Sequence, residues 1–280
     1  MHRPLLVTIA NQRSGTKFLG AALNAGTRLR SFGEPFKPPP PATPFPAFAA
    51  AWIAGHPGFA FRGTEIEAML DAFLDSLAAR AAEAGRIAHL DVMYNTLGGL
   101  SGIWTWPVRG EGESVICRVL RARGAAVLHL VRESVADCVA SRLIANHRGY
   151  HRREPLSEAE RALRLTIDLR AAEREMRAIL TARDFVRRAF RGHGAYLELT
   201  YPDFVAGASL APGVPLQLAD LIGIPGPEGV AGPCRLVPSA PDKAEAILNW
   251  SELQALEARI RAGGRHPTPT TADATGRPIS

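Results

Sequence analysis

Short continuous apolar runs alternate along this chain with longer segments of helical period, and that alternation constrains its fold more than any other feature. PLLVTIA (4–10), RIAHLDVMY (86–94), AAVLHLVR (125–132) and AYLELTY (195–201) read as strands buried on both faces. TRLRSFGEPF supplies a further strand ending at Gly33-Glu34-Pro35. Between them, TKFLGAALNAG reads as a helix with a glycine stop, and Ile66, Met69, Leu70, Phe73, Leu74 and Leu77 give one apolar face to a helix over 64–84. SVICRVLRARG predicts a short helix, 134–147 another, and Leu165, Leu169, Ala172, Met176 and Ile179 a long one over 156–182. Strands and helices in this order form a mostly parallel central sheet flanked by helices, so the expected class is α/β in three layers.

With 280 residues, 46% of them apolar, the chain can bury a full core. A single α/β domain over 1–262 holds the periodic segments, and the tail 263–280 reads as disordered. KPPPPATPFPAF suits neither a helix interior nor a central strand, which makes 35–62 a proline-rich surface loop or lid. The formal charge is +6, yet the basic residues are dispersed, aromatics are few, and Lys17, Lys37 and Lys243 are the only lysines; no nucleic-acid partner is expected. Cys117, Cys138 and Cys234 lie far apart without metal-ligand spacing, as in a reduced intracellular protein. MHRP leads straight into LLVTIA, too short for a signal-peptide core, and no run of about 18 apolar residues occurs, so a cytoplasmic chain with no transmembrane segment is expected.

IANQRSGTKFLGAAL (9–23) places Arg13 and Lys17 at the start of a helix, where the positive end of the dipole favours anions. An anion bound in the loop removes that conflict. The first backbone N–H groups of a helix lack internal partners and point outward. Gly15 lets the backbone approach a ligand closely, Ser14 and Thr16 add donors, and Arg13 and Lys17 add charge. The stretch lacks the G-x-x-x-x-G-K-[ST] order of nucleotide triphosphatases, which disfavours an ATP or GTP hydrolase. An exposed turn carrying two solvated cations is the alternative.

A second cluster lies in AAVLHLVRESVADCVASRLIAN, with Arg132 at a strand end and a Ser134-x-x-Asp137 capping pattern after it. Ser134 and Ser141 share one helix face. Arg132 and Ser141 then both look toward the carboxyl edge of the sheet, where open α/β sheets bind ligands.

Together the two clusters resemble those of sulfotransferases that use 3′-phosphoadenosine-5′-phosphosulfate (PAPS). QRSGTKFL is similar to the family's 5′-phosphosulfate loop, and LVRESVADCVASRL to its 3′-phosphate motif. HLDVMYNTL, LELTYPDFV, PLQLADLIGI and APDKAEAILNWSEL echo later landmarks of the bacterial carbohydrate members that act on trehalose and nodulation lipo-oligosaccharides. The resemblance implies a P-loop-like fold in which Arg13, Ser14, Gly15, Thr16, Lys17 and Phe18 hold the 5′-phosphosulfate and Arg132 and Ser141 the 3′-phosphate. It implies Glu34 as general base, with His89 as a rival; by analogy with phosphoryl transfer, Lys17 is assigned to stabilise the negative charge on the equatorial and leaving oxygens. PAPS is the implied co-substrate, without a metal, and a hydroxyl of a carbohydrate or glycolipid is the implied acceptor. Chemistry supports Glu34 independently, since a carboxylate beside the phosphate loop can take a hydroxyl proton.

Two positions depart from the pattern. Lys17 stands where many relatives carry a hydroxyl residue, and Asp91 lies where they often carry a basic one. A single account joins them: Lys17 replaces that cation, and Asp91 faces the acceptor or pairs with an arginine. A catalytically degenerate nucleotide-binding protein and a small-molecule kinase of related fold are the alternatives.

Overall fold

Every residue of Leu5–Ala10 (β1) is buried, because helices cover the strand from both sides. The computed structural model describes residues 4–37, 45–97, 99–101, 104–105, 114–148, 157–234 and 243–263. In it β1 is the centre of a five-stranded sheet with Leu29–Ser31 (β2), Ile87–Met93 (β3), Ala126–Arg132 (β4) and Tyr196–Tyr201 (β5). The order is β2-β3-β1-β4-β5, and all pairings are parallel. Two small antiparallel hairpins, Gly99–Ser101 with Trp104–Thr105 and Val205–Ala206 with Ser209–Leu210, lie outside this sheet.

The helices are Thr16–Ala25 (α1), Phe45–Gly55 (α2), Gly63–Ala82 (α3), Val115–Arg123 (α4), Val135–Arg148 (α5), Glu158–Arg161 (α6), Leu169–Ala189 (α7), Val214–Ile222 (α8), Lys243–Ala246 (α9) and Trp250–Ala262 (α10). Alternation along the strands divides the core in two. Leu5, Val7 and Ile9 face a layer built by α3, α4, α5 and α7, while Leu6 and Ala10 face α1 and α8. The result is a three-layer α/β, P-loop-like fold, as the alternation of the sequence requires. Among the described residues no helix is long and apolar enough to cross a membrane.

Three local expectations need correction. β2 ends at Ser31, short of the expected Gly33-Glu34-Pro35, and Gly33 turns the chain with φ 65°. The proline-rich stretch 35–62 is not all loop, since α2 runs through it. Pro46 stands in the helix's first turn, where a missing N–H costs nothing. Phe45 buries itself against Phe36 and Phe73, with ring centroids 5.2 and 5.1 Å away. Residues 38–44 of that stretch and 264–280 of the expected tail lie outside the described residues.

The long helix expected over 156–182 is shifted and broken. Asp168 caps α7 by accepting the N–H groups of Arg170 and Ala171 at 2.9 and 3.2 Å. Leu165, assigned to that helix's apolar face, is extended instead and pairs in parallel with Ile247.

Candidate functional site

The loop after β1 and the helix α1 behind it form the floor of the site. Arg13 and Gly15 both take left-handed backbone conformations, with φ 70° and 88°. The tight reversal needs them, and at Gly15 space forbids anything larger: a Cβ there would lie 2.8 Å from the rings of both Tyr201 and Phe204. Gly15 caps α1 without a side chain, and no acid stands in the helix's first turn. Ser14 Oγ is buried and meets no hydrogen-bond partner among the described residues. A buried hydroxyl left in this way costs free energy unless a ligand satisfies it. Thr16 is buried, and Phe18 packs on Phe204 with its ring centroid 6.4 Å away, so that side chain serves the core.

The fold brings the second cluster onto this loop. Arg13 donates from Nε to Ser141 Oγ at 3.3 Å. Arg132, at the end of β4, donates from Nη1 to the Arg13 carbonyl at 3.1 Å, and its guanidinium lies over the Tyr201 ring at 4.7 Å. Its other arm, Nη2, binds Asp137 Oδ2 at 2.8 Å. Arg13, Ser14, Arg132 and Ser141, assigned from two stretches far apart in sequence, therefore share one edge of the sheet.

The capping pattern at α5 resolves differently from expectation. Ser134 Oγ accepts the Asp137 N–H at 3.0 Å, but the Asp137 carboxylate turns to Arg132 instead of completing the box. Glu257 of α10 fills that place. Its carboxylate accepts from the Val135 and Ala136 N–H groups at 2.9 and 3.0 Å and from Ser134 Oγ at 2.9 Å. Burial alone would raise the pKa of Glu257, yet these donors and Arg261 bring it below the usual range. The two helix N-termini at this edge thus differ: α5 is plugged by a carboxylate of the chain, and α1 is not.

Glu34 follows β2 and pairs with Lys17, Oε1 to Nζ, at 3.1 Å. Asp91 lies next to them, its backbone N–H bonded to the Gly33 carbonyl at 2.7 Å. Its carboxyl is fully buried; Oδ1 has no hydrogen-bond partner among the described residues and lies 3.5 Å from Nε2 of His89. Burial raises its pKa to about 7, the Lys17 charge opposing and the Glu34 charge assisting. The charges acting on Asp91 are therefore Lys17 and Glu34; of the two alternatives the sequence left for it, facing the acceptor or pairing with an arginine, the second finds no arginine among the described residues.

His89 sits deeper, inside the sheet. Thr8 Oγ1 meets its Nε2 and Ser31 Oγ its Nδ1, both at 2.8 Å. Burial lowers its pKa to about 3, which keeps the ring neutral. With both nitrogens engaged by hydroxyls, His89 ties β1, β2 and β3 together.

Sequence reasoning missed Lys243, Tyr201 and Glu257. Lys243 stands 3.3 Å from Asp137 Oδ2; the scarcity of lysine and its place in APDKAEAILNWSEL were the available signals for it. Tyr201 lies within LELTYPDFV and packs on the nearby Phe204, but its place under Arg132, like the cap supplied by Glu257, depends on contacts far apart in sequence. His129 also gained no role from sequence; it joins Tyr94, Tyr196 and Glu198 in a buried network on the opposite face of the sheet.

The fold and this edge define an α/β protein of P-loop-like architecture with an anion-suited loop at the carboxyl end of its central strand. No protein-family model matches the chain, and no curated protein is significantly similar to it.

Proposed function

We propose that the chain is a sulfotransferase that moves a sulfuryl group from PAPS to a hydroxyl of a carbohydrate or glycolipid. The observation that carries this reading is the convergence of Arg13, Ser141 and Arg132 on one loop, beside the orphaned hydroxyl of Ser14. A ligand with two separate anionic groups suits such an edge better than a nucleotide with a single phosphate chain, since two basic clusters meet there. The residues fit the donor: the uncapped start of α1 with Ser14, Thr16 and Lys17 for the 5′ end, and Arg132 with Ser141 for the 3′-phosphate.

When bound, PAPS supplies an activated sulfuryl group for in-line displacement, in which the acceptor oxygen bonds to sulfur as the phosphate oxygen leaves. Glu34 takes the acceptor's hydroxyl proton. Lys17, 3.1 Å from Glu34, brings positive charge between the proton acceptor and the loop, where negative charge grows on the equatorial and leaving oxygens. Arg13 and the first N–H groups of α1 hold the donor's phosphate in line, which is the larger part of such catalysis.

Calorimetric titration with 3′-phosphoadenosine 5′-phosphate and with AMP tests the reading. Tight binding of the bisphosphate, weaker binding of AMP and loss of that difference in Arg132→Ala are expected. Equal or absent binding of both overturns it. Asp91 favours a second reading, a nucleotide-binding protein without turnover, because a buried carboxyl there opposes the negative charge of a donor. Bisphosphate binding without transfer to any of a panel of sugars would select that reading.

A further inference from the structure

Lys243 is nearly enclosed, with 13% of its side chain exposed against 43% for Lys17. Its Nζ lies 3.3 Å from Asp137 Oδ2, and the same oxygen accepts from Arg132 Nη2 at 2.8 Å. One carboxylate oxygen therefore sits between two cations from distant parts of the chain. Asp137 needs one cation, and Arg132 already supplies it. A second, enclosed lysine adds repulsion: burial and the Arg132 charge both weaken its hold on its proton, with Asp137 opposing. Two cations against one anion leave positive charge in a half-buried place, which further negative charge from solvent would relieve.

The geometry shows which side that charge would come from. Asp137 is the outermost of the three, 26% exposed against 11% for Arg132 and 13% for Lys243. Both cations are anchored from behind. Arg132 is fixed by the Arg13 carbonyl and the Tyr201 ring, and Arg183 donates to its backbone carbonyl at 2.6 Å. Lys243 begins α9, and Ala246 and Leu248 of the same segment exchange backbone hydrogen bonds of 2.8 Å with Leu165. The Asn249 side chain bonds both backbone groups of Ile167 at 3.0 and 2.9 Å.

We propose that Arg132 and Lys243 form a two-cation seat for the second phosphate of the nucleotide, a phosphate monoester dianion, with Asp137 Oδ2 as the resident counter-ion whose place a phosphate oxygen takes. This rests on the functional reading above and adds to it a residue of the C-terminal segment. Asp137 acts here as a placeholder: it holds the two cations together while the seat is free and yields to an anion of higher charge.

The test is calorimetry on the full chain with 3′-phosphoadenosine 5′-phosphate, AMP and inorganic phosphate, for the wild type, Lys243→Met, Lys243→Arg and Asp137→Asn. Lys243→Met should weaken the bisphosphate about tenfold while AMP changes less than about twofold, the loss expected for one charge-assisted contact. Lys243→Arg should restore most of the affinity, and Asp137→Asn should tighten the bisphosphate several-fold by freeing both cations. An unchanged ratio of bisphosphate to AMP in a folded Lys243→Met overturns the seat and leaves Lys243 as a staple between α9 and α5. Where Lys243→Met does not fold, Asp137→Asn decides, and failure to tighten the bisphosphate overturns the seat. A wild type that does not prefer the bisphosphate refutes the functional reading instead. The seat then stands only on inorganic phosphate binding the wild type and not Lys243→Met, and falls without it.

Discussion

The ammonium of Lys17 lies 3.1 Å from the carboxylate of Glu34, joining the first turn of α1 to the segment after β2. With the lysine 43% exposed, such a pair adds little to stability, of the order of 0–1 kcal/mol. On the proposed function its weight is chemical. Glu34→Gln should melt close to the wild type and bind 3′-phosphoadenosine 5′-phosphate within about twofold, while transfer from PAPS to sugar acceptors falls at least ~100-fold. Transfer assays run beside the calorimetry check this, and full transfer by the variant would remove Glu34 from the chemistry.

Asp91 makes stability depend on pH. Its pKa is raised from 3.8 to about 7 in the folded chain, so the folded state holds this proton more tightly than the unfolded state. Its contribution is therefore fully present below about pH 4, is lost as pH rises toward 7, and is constant above that. Relative to Asp91→Asn, the wild type should lose on the order of 2–4 kcal/mol across that window. Urea unfolding at several pH values reads this directly. Parallel curves for the two proteins would show that Asp91 ionises in the fold as freely as in an unfolded chain.

Glu257 has the opposite sign. Its carboxylate holds the N-terminus of α5 and its pKa is lowered, so its contribution is present at neutral pH and is lost as pH falls below the usual glutamate value of 4.5. Glu257→Ala leaves the Val135 and Ala136 N–H groups buried without their acceptor. The expected cost is roughly 2–3 kcal/mol at pH 7, a fall in melting temperature of about 5 °C or more, shrinking toward pH 3. Thermal melts of the two proteins at pH 7 and pH 3 distinguish this cap from an ordinary surface contact, whose removal would change little at either pH.

Gly15→Ala strains the loop twice, through a left-handed backbone and through a Cβ at 2.8 Å from the Tyr201 and Phe204 rings. A loss of about 2–3 kcal/mol and of bisphosphate binding is expected. A melt and a titration on the two proteins check this, and a variant that melts and binds like the wild type would show that the loop accepts a Cβ at this position.

The extent to which the site could be read from sequence follows the range of its contacts. The strand, loop and helix at 5–25 were legible because burial and period are local, and Arg13 and Ser141 were legible as parts of two short patterns. That the two would touch depends on β1 pairing with β4, a matter of sheet order. The start of α7 differs because apolar spacing runs through Leu165 without a break, while the Asp168 cap and the pairing of Leu165 with Ile247 keep that residue out of the helix. Phe45 was missed for the converse reason: prolines surround a residue that packs into the core. His89 shows the limit of assigning chemistry by residue type, since two hydroxyls on neighbouring strands make it part of the frame.

The cap of α5 has one more consequence. Val135 and its acceptor Glu257 stand 122 residues apart. As the chain leaves the ribosome, the sheet strands up to β4 and the whole of α5 emerge well before the carboxylate that finishes the helix. Until α10 is made, the Val135 and Ala136 N–H groups can be met only by water or by a passing anion, while Ser134 already serves Asp137. A nascent chain of this protein would thus carry its sheet early and close the Arg132 edge late, and pausing during synthesis of residues 243–262 would prolong that open state.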